Sequence, residues 1–289
     1  MVPVKIALLT DSCADLSPSI AEEHHIHVVP LRVHCTDREY SDGVDIHAED
    51  IYARLRRGEL PKTSLPTGED ISAALDQIRE EGYDGVIALM LSGGLSGTYN
   101  LVRVLSEERR DLDIQVFDSV SGSIGMGMTL LQLDEDIQGG CSWEELTRQR
   151  VPQLIRDTNA FFSVDTLEYL QKGGRIGKIT AMAGTMLQIK PLITFSSDGQ
   201  LQSIAKVRGR KQVIDKLVDL TVKACGNHKR YNIAVACGGS PPEELDLLRE
   251  KMKAALPHYE HIWEAPRFDA TLSVYIGDGI LAAAVQTLD

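Results

Sequence analysis

The chain has 289 residues, enough for two domains, each with a core of its own. A net charge of −12 and a pI of about 5.2 argue against nucleic acid or an anionic membrane as the main partner. Five scattered cysteines, odd in number and without a C-x-x-C pair, argue against a disulfide framework or a zinc site and fit a reducing compartment.

Taken in chain order, short apolar runs alternate with segments of helical period. Val4–Leu9 predicts a strand, Asp11–Asp15 a turn, and Ser17 the cap of a first helix. The N-terminus turns polar after Leu9, too soon for a signal peptide, and no stretch approaches the roughly 18 apolar residues of a membrane span, so a cytoplasmic location is expected. Val28–Val33 predicts a second strand, placed at a sheet edge because Pro30 cannot donate to a ladder. Helices are predicted over Ile46–Arg57 and Glu69–Glu81, then a buried strand over Val86–Leu91, a Gly/Ser loop over Ser92–Thr98 and a helix to about Arg109. A strand at Ile114–Phe117 and helices at Ile124–Ile137 and Ser142–Ile155 follow. This alternation implies a parallel sheet with helices on both faces.

The second half has another rhythm. Strands are predicted at Ala160–Val164 and Leu192–Phe195, and at Leu201–Val207 across the turn Ser197–Gly199. Helices at Gly209–Ala224 and Pro242–Leu256 are followed by strands at Ile233–Ala236, His261–Ala265 and Leu272–Ile276, with a short closing helix after Gly279. The fold class read from these patterns is α/β in two domains: an N-terminal parallel-sheet α/β/α domain of residues 1–157 and a C-terminal mixed-sheet α+β domain of residues 158–289.

Two segments suit an anion. Thr63-Ser-Leu-Pro-Thr-Gly68 precedes an acidic helix start, and capping by Thr67 leaves the adjacent hydroxyls of Thr63 and Ser64 unexplained. Ser92-Gly-Gly-Leu-Ser-Gly-Thr98 lies at the carboxyl end of a buried strand and opens a helix, where unpaired N–H groups favour negative charge. Neither segment holds a lysine or arginine, so neutral donors there suit one carboxylate better than a polyphosphate.

Three enzyme-like patterns fail. Gly94-Leu-Ser-Gly97 brings its second glycine one residue early for a nucleophile elbow, and His228, His258 and His261 carry no triad context. Gly173–Lys178 is too short for a phosphate loop, with Ile179 in place of the magnesium-binding hydroxyl. Gly277-Asp-Gly279-Ile-Leu-Ala282 lies too near the C-terminus for a dinucleotide unit. The cluster His24-His25-Ile-His27 has no acid or cysteine at metal spacing, and no metal or other cofactor is expected. Lys172, Arg175, Lys178, Lys190, Lys206, Arg208, Arg210 and Lys211, against Asp198 alone, form a basic stretch in an otherwise acidic chain.

In order, Thr10-Asp-Ser12 with Asp15-Leu16, Thr63–Thr67, Ser92–Thr98, Asp118-Ser119, Val164–Leu170, Lys172–Ile176, Lys190-Pro191 and Lys206–Lys211 resemble the DegV family over essentially the whole chain. The resemblance implies the two-domain EDD fold and one long-chain fatty acid in a tunnel between the domains, with no catalysis by the chain itself. Carried over, the carboxylate falls to Thr63 and Ser92, helped by Ser64, Ser96 and the N–H groups around Gly93. Gly93 stands where the family often has a second serine. Some relatives present the fatty acid to a separate ATP-dependent fatty acid kinase, and the resemblance makes Arg175, Arg208 and Tyr275 candidates for contact with that kinase or with the phosphate. The family's histidine two residues before a Gly-Pro-Gly turn is Tyr275 here, and the proline is Asp278. Two alternatives accompany this reading: phosphoryl transfer, from the likeness of the sheet to a domain of dihydroxyacetone kinases, and a sensor or scaffold with the lipid as a structural plug.

Overall fold

The computed structural model describes residues 5–179 and 189–289. Val4, the start of the first expected strand, lies outside them. Strand β1 (Ile6–Asp11) leads through a 3-10 turn, Ser12–Ala14, to α1 (Pro18–Glu23), capped by Ser17 Oγ. Strand β2 (Ile26–Val29) runs parallel to β1. Next, β3 (Arg32–His34), β4 (Glu39–Ser41) and β5 (Lys62–Ser64) form a small antiparallel sheet in the order β4-β3-β5, with α2 (Ala48–Arg56) between β4 and β5. Helix α3 (Gly68–Glu80), β6 (Gly85–Met90), α4 (Thr98–Ser106), β7 (Asp113–Asp118) and α5 (Ile124–Gln138) complete a parallel sheet of order β2-β1-β6-β7. After α5 come α6 (Trp143–Glu145), a π turn (Leu146–Arg150) and α7 (Val151–Asp157).

The remaining elements are β8 (Thr158–Ser163), α8 (Glu168–Lys172), β9 (Ile189–Phe195), β10 (Leu201–Arg208), α9 (Arg210–Cys225), β11 (Tyr231–Gly238), α10 (Pro242–Ala255), β12 (Ile262–Ala265), α11 (Ala270–Ile276) and β13 (Ile280–Thr287). They form a six-stranded sheet of order β10-β9-β8-β13-β11-β12, antiparallel except for β11 with β12. The fold is therefore the expected pairing of a parallel N-terminal sheet with a mixed C-terminal one.

Three expectations need correction. Val28–Val33 is two strands in two sheets, because Pro30 ends β2 before β3 begins; β2 does lie at an edge. Leu272–Ile276 belongs to a helix, α11, whose start is fixed by Asp269, with its side chain accepting from Leu272 N at 2.7 Å. The chain after Gly279 is a central strand rather than a helix. β13 is alanine-rich and locally a fair helix former, but its backbone groups pair with β8 on one side and β11 on the other.

Helix α5 is buried from Ile124 to Asp134 and packs against both large sheets. A helix apolar on every side must be covered all round. The outer face of the mixed sheet is covered by α9 and α10, through Val213, Leu217, Leu248 and Met252 against Ile233, Val235, Leu281 and Val285. The period of two in β13 sends Leu281, Ala283 and Val285 to that face and Ala282 and Ala284 to the other. Ala234 and Ala236 of β11 join the second set. Small side chains on this inner face leave room between the sheets.

Candidate functional site

That room is an apolar cavity open to solvent at its mouth. One wall comes from the first half of the chain, with Leu31, Leu65, Leu91, Leu95 and Ile124; the other comes from Ala160, Phe162, Phe195, Leu201 and Ala282. Helix α11 adds Thr271, Leu272, Tyr275 and Ile276. The rings of Phe162 and Phe195 sit 6.4 Å apart on one side. The lining is overwhelmingly hydrocarbon, and its polar groups gather in two places.

The first is one end of the cavity. Thr63, in register with Val33 across β3 and β5, places its Oγ1 2.5 Å from the Tyr275 hydroxyl. Arg175 caps this pair, its guanidinium 5.0 Å from the centre of the Tyr275 ring. The guanidinium is held by two carbonyls, Nε donating to Leu95 O at 3.3 Å and a terminal nitrogen to Gly173 O at 2.9 Å. Among the described residues no carboxylate forms an ion pair with Arg175, so one positive charge stands half-buried at the cavity end without its counter-charge. Gly173 makes room for the ring: a Cβ there would lie 2.4 Å from two ring carbons of Tyr275.

Thr63, Arg175 and Tyr275 also line a second, outer hollow with Lys62, Tyr169 and Lys172. The hydroxyl pair thus stands between the apolar cavity and a basic vestibule. Ser64 and Ser96 lie on the cavity lining, with Ser64 Oγ 2.7 Å from His34 Nε2 and Ser96 Oγ 2.8 Å from Thr98 Oγ1.

Ser92 and Gly93, expected with Thr63, are not brought to that lining. Ser92 is fully buried and its Oγ donates to Gly199 O at 2.8 Å, which commits its proton across the domain interface. Gly93 N–H donates to Asp118 Oδ1 at 3.0 Å. This loop and the β9–β10 turn fit so closely that a Cβ on Gly94 would lie 2.3 Å from the Gly199 carbonyl carbon. Arg208 is exposed near the end of β10 and lines neither hollow. Two of the clustered histidines meet acids, His24 Nδ1 lying 2.7 Å from Asp134 Oδ2 and His27 Nε2 3.3 Å from Glu81 Oε2.

The second polar place was not foreseen. Ser123 and Thr271 line the cavity and join a cluster of acids behind it. Ser123 Oγ donates to Asp15, and Asp269 N donates to the other oxygen of Asp15 at 2.6 Å. Asp42 accepts from Ala270 N, Thr271 N and Ser12 Oγ, and Cys13 Sγ lies 3.8 Å from Asp269 Oδ1. Burial pushes Asp11 and Asp15 up to about 7 against the hydrogen bonds they accept, and it raises Asp269 with the help of the charges of Asp42 and Asp15. The same burial raises the Cys13 thiol, so it stays protonated. The usable signal in the sequence was Asp269 three residues before Leu272, a helix start that sets Thr271 and Tyr275 one turn apart on a single face.

An apolar cavity between two α/β domains, with hydroxyls and a guanidinium at one end, has the make-up of a small-molecule pocket, and no helix among the described residues is long and apolar enough to cross a membrane. A family model described as "Uncharacterised protein, DegV family" matches residues 5–288, and the chain belongs to that family. It is 33% identical over 281 residues to a DegV domain-containing protein of Clostridium acetobutylicum, covering 97% of this chain and 98% of that one. A fatty-acid-binding DegV family protein from Thermus thermophilus superposes with a TM-score of 0.90 at 29% identity, covering 98% of this chain and all of that one. A stearic acid-binding protein from Eubacterium ventriosum superposes with a TM-score of 0.87 at 26% identity over 98% of each chain.

Proposed function

We infer that this chain binds one long-chain fatty acid between an N-terminal domain of residues 1–157 and a C-terminal domain of residues 158–289, and carries it without chemistry of its own. The observation behind this reading is the apolar cavity that ends at Thr63, Tyr275 and Arg175. Burial of each acyl methylene contributes roughly 0.8 kcal/mol, so a chain of about sixteen carbons offers on the order of 10 kcal/mol before ordering costs. The tail supplies the affinity and the polar end fixes the direction. A carboxylate entering there meets the hydroxyls of Thr63 and Tyr275, which turn from each other to the anion. Ser64 and Ser96 stand beside them, and Arg175 supplies the opposite charge. Ser92 acts as a positioning residue that ties the Gly/Ser loop to Gly199, and the Gly93 N–H holds the same loop to Asp118.

The fatty acids carried by the Thermus thermophilus and Eubacterium ventriosum relatives support the ligand class. Presentation of the head group to a separate fatty acid kinase is the finer reading, and the basic vestibule of Lys62, Lys172 and Arg175 gives such a partner a route to it.

The test is denaturing extraction and mass spectrometry of the purified protein, followed by titration of the stripped protein with palmitate and oleate. Recovered fatty acid and one-to-one uptake are expected. A protein that comes out empty and takes up neither acid defeats the reading.

A further inference from the structure

The acyl cavity contains an oxygen that a plain hydrocarbon tail leaves without a partner. Thr271 is 2% exposed and lines the cavity, yet its Oγ1 has no hydrogen-bond partner among the described residues. A buried hydroxyl in that state costs free energy that a polar ligand atom would return. Ser123, 8% exposed, lines the same cavity and is tied to the same acids: its Oγ donates to Asp15, which also accepts from Asp269 N two residues before Thr271, so the Ser123 oxygen offers only lone pairs to the cavity. Both residues are fixed from behind. Thr271 N donates to Asp42 and the backbone of Ser123 donates to Cys13 O at 2.7 Å. Ser123 also holds φ at 52°, in the left-handed region that a serine seldom adopts.

Resting on the fatty-acid reading above, we propose that Thr271 and Ser123 form a second polar subsite inside the cavity, and that the preferred ligand is an acyl chain bearing a hydroxyl along its length. That hydroxyl accepts from Thr271 Oγ1 and donates to Ser123 Oγ. Thr271 lies four residues, about 6 Å along α11, before Tyr275. The ligand oxygen therefore belongs in the carboxyl-proximal half of the chain rather than at its methyl end.

The experiment measures binding of stearate and of hydroxystearates with the hydroxyl at successive positions to the stripped protein and to Thr271→Val, which keeps the shape and removes the oxygen. One position is expected to bind about fivefold tighter than stearate to the original protein, and this preference is expected to vanish in Thr271→Val. Thr271→Ser, which retains a hydroxyl, restores it and guards against a folding defect in the valine variant. Equal or weaker binding of every hydroxystearate, or a preference that survives in Thr271→Val, overturns the proposal while leaving the fatty-acid reading intact. Failure to take up stearate itself overturns both.

Discussion

At the scale of single residues, the polar end of the cavity depends on one hydroxyl pair and one glycine. Tyr275→Phe and Thr63→Val each remove half of the same arrangement, and each is expected to weaken fatty-acid binding about fivefold, read by calorimetry. Because both act on one unit, the double variant should lose little more than either alone; full additivity would mean the two hydroxyls work apart. Gly173→Ala drives a methyl into the Tyr275 ring and is expected to cost about 1–3 kcal/mol in urea denaturation, with a loss of affinity alongside. A variant with unchanged stability and binding would show that the ring is not seated as described. Thr63, Ser64 and Ser96 could be picked out in the sequence as surplus hydroxyls near a helix start. Tyr275 could be noticed only as a departure from the family pattern. Its contact with Thr63 spans 212 positions of sequence, and no local periodicity reports a pairing of that kind.

At the scale of elements, the two domains are locked by a loop against a turn. Gly94→Ala would press a methyl into the Gly199 backbone and is expected to lower stability by about 1–3 kcal/mol while leaving each sheet's secondary structure unchanged by circular dichroism. No change in the urea midpoint would argue that the interface gives way easily. The parallel sheet was legible because its βα units alternate regularly, and β6, buried on both faces, reads as an unbroken apolar run. The last two elements were not. Leu272–Ile276 is apolar enough for a strand and β13 is alanine-rich enough for a helix, so local preference pointed the wrong way twice in succession. Strand pairing decided the second, and the Asp269 cap decided the first. That exchange is what hid Thr271 and the inner half of the site.

At the scale of the whole molecule, Asp11 and Asp15 from one turn meet Asp42 and Asp269 from distant parts of the chain. A carboxyl raised by folding from 3.8 to about 7 keeps its proton in the folded chain while the unfolded chain releases it. The stability these two acids contribute is therefore fully present below about pH 4, declines as pH rises towards 7 and is lost above it. Asp269, raised as well, adds to the decline. Exposed Asp198, held down to about 2 by its hydrogen bond from Lys178, works the other way and only below pH 4. The midpoint of thermal unfolding should drop as pH is raised from about 5 to about 7, and Asp15→Asn, which mimics the protonated acid, should flatten the slope. A slope that is the same in the variant would remove Asp15 from this account.

The inner face of β13 and β11 carries Ala234, Ala236, Ala282 and Ala284, where the outer face carries mostly leucine, isoleucine and valine. Two alanines line the cavity itself, Ala282 on β13 and Ala160 on neighbouring β8, and each is a notch on a gauge: enlarging it to valine takes up space that a guest would otherwise fill, without disturbing a single ladder bond. Descendants of this chain can thus retune the length of molecule they accommodate by small steps, at positions such as Ala160 and Ala282, while the framework that holds the head stays as it is.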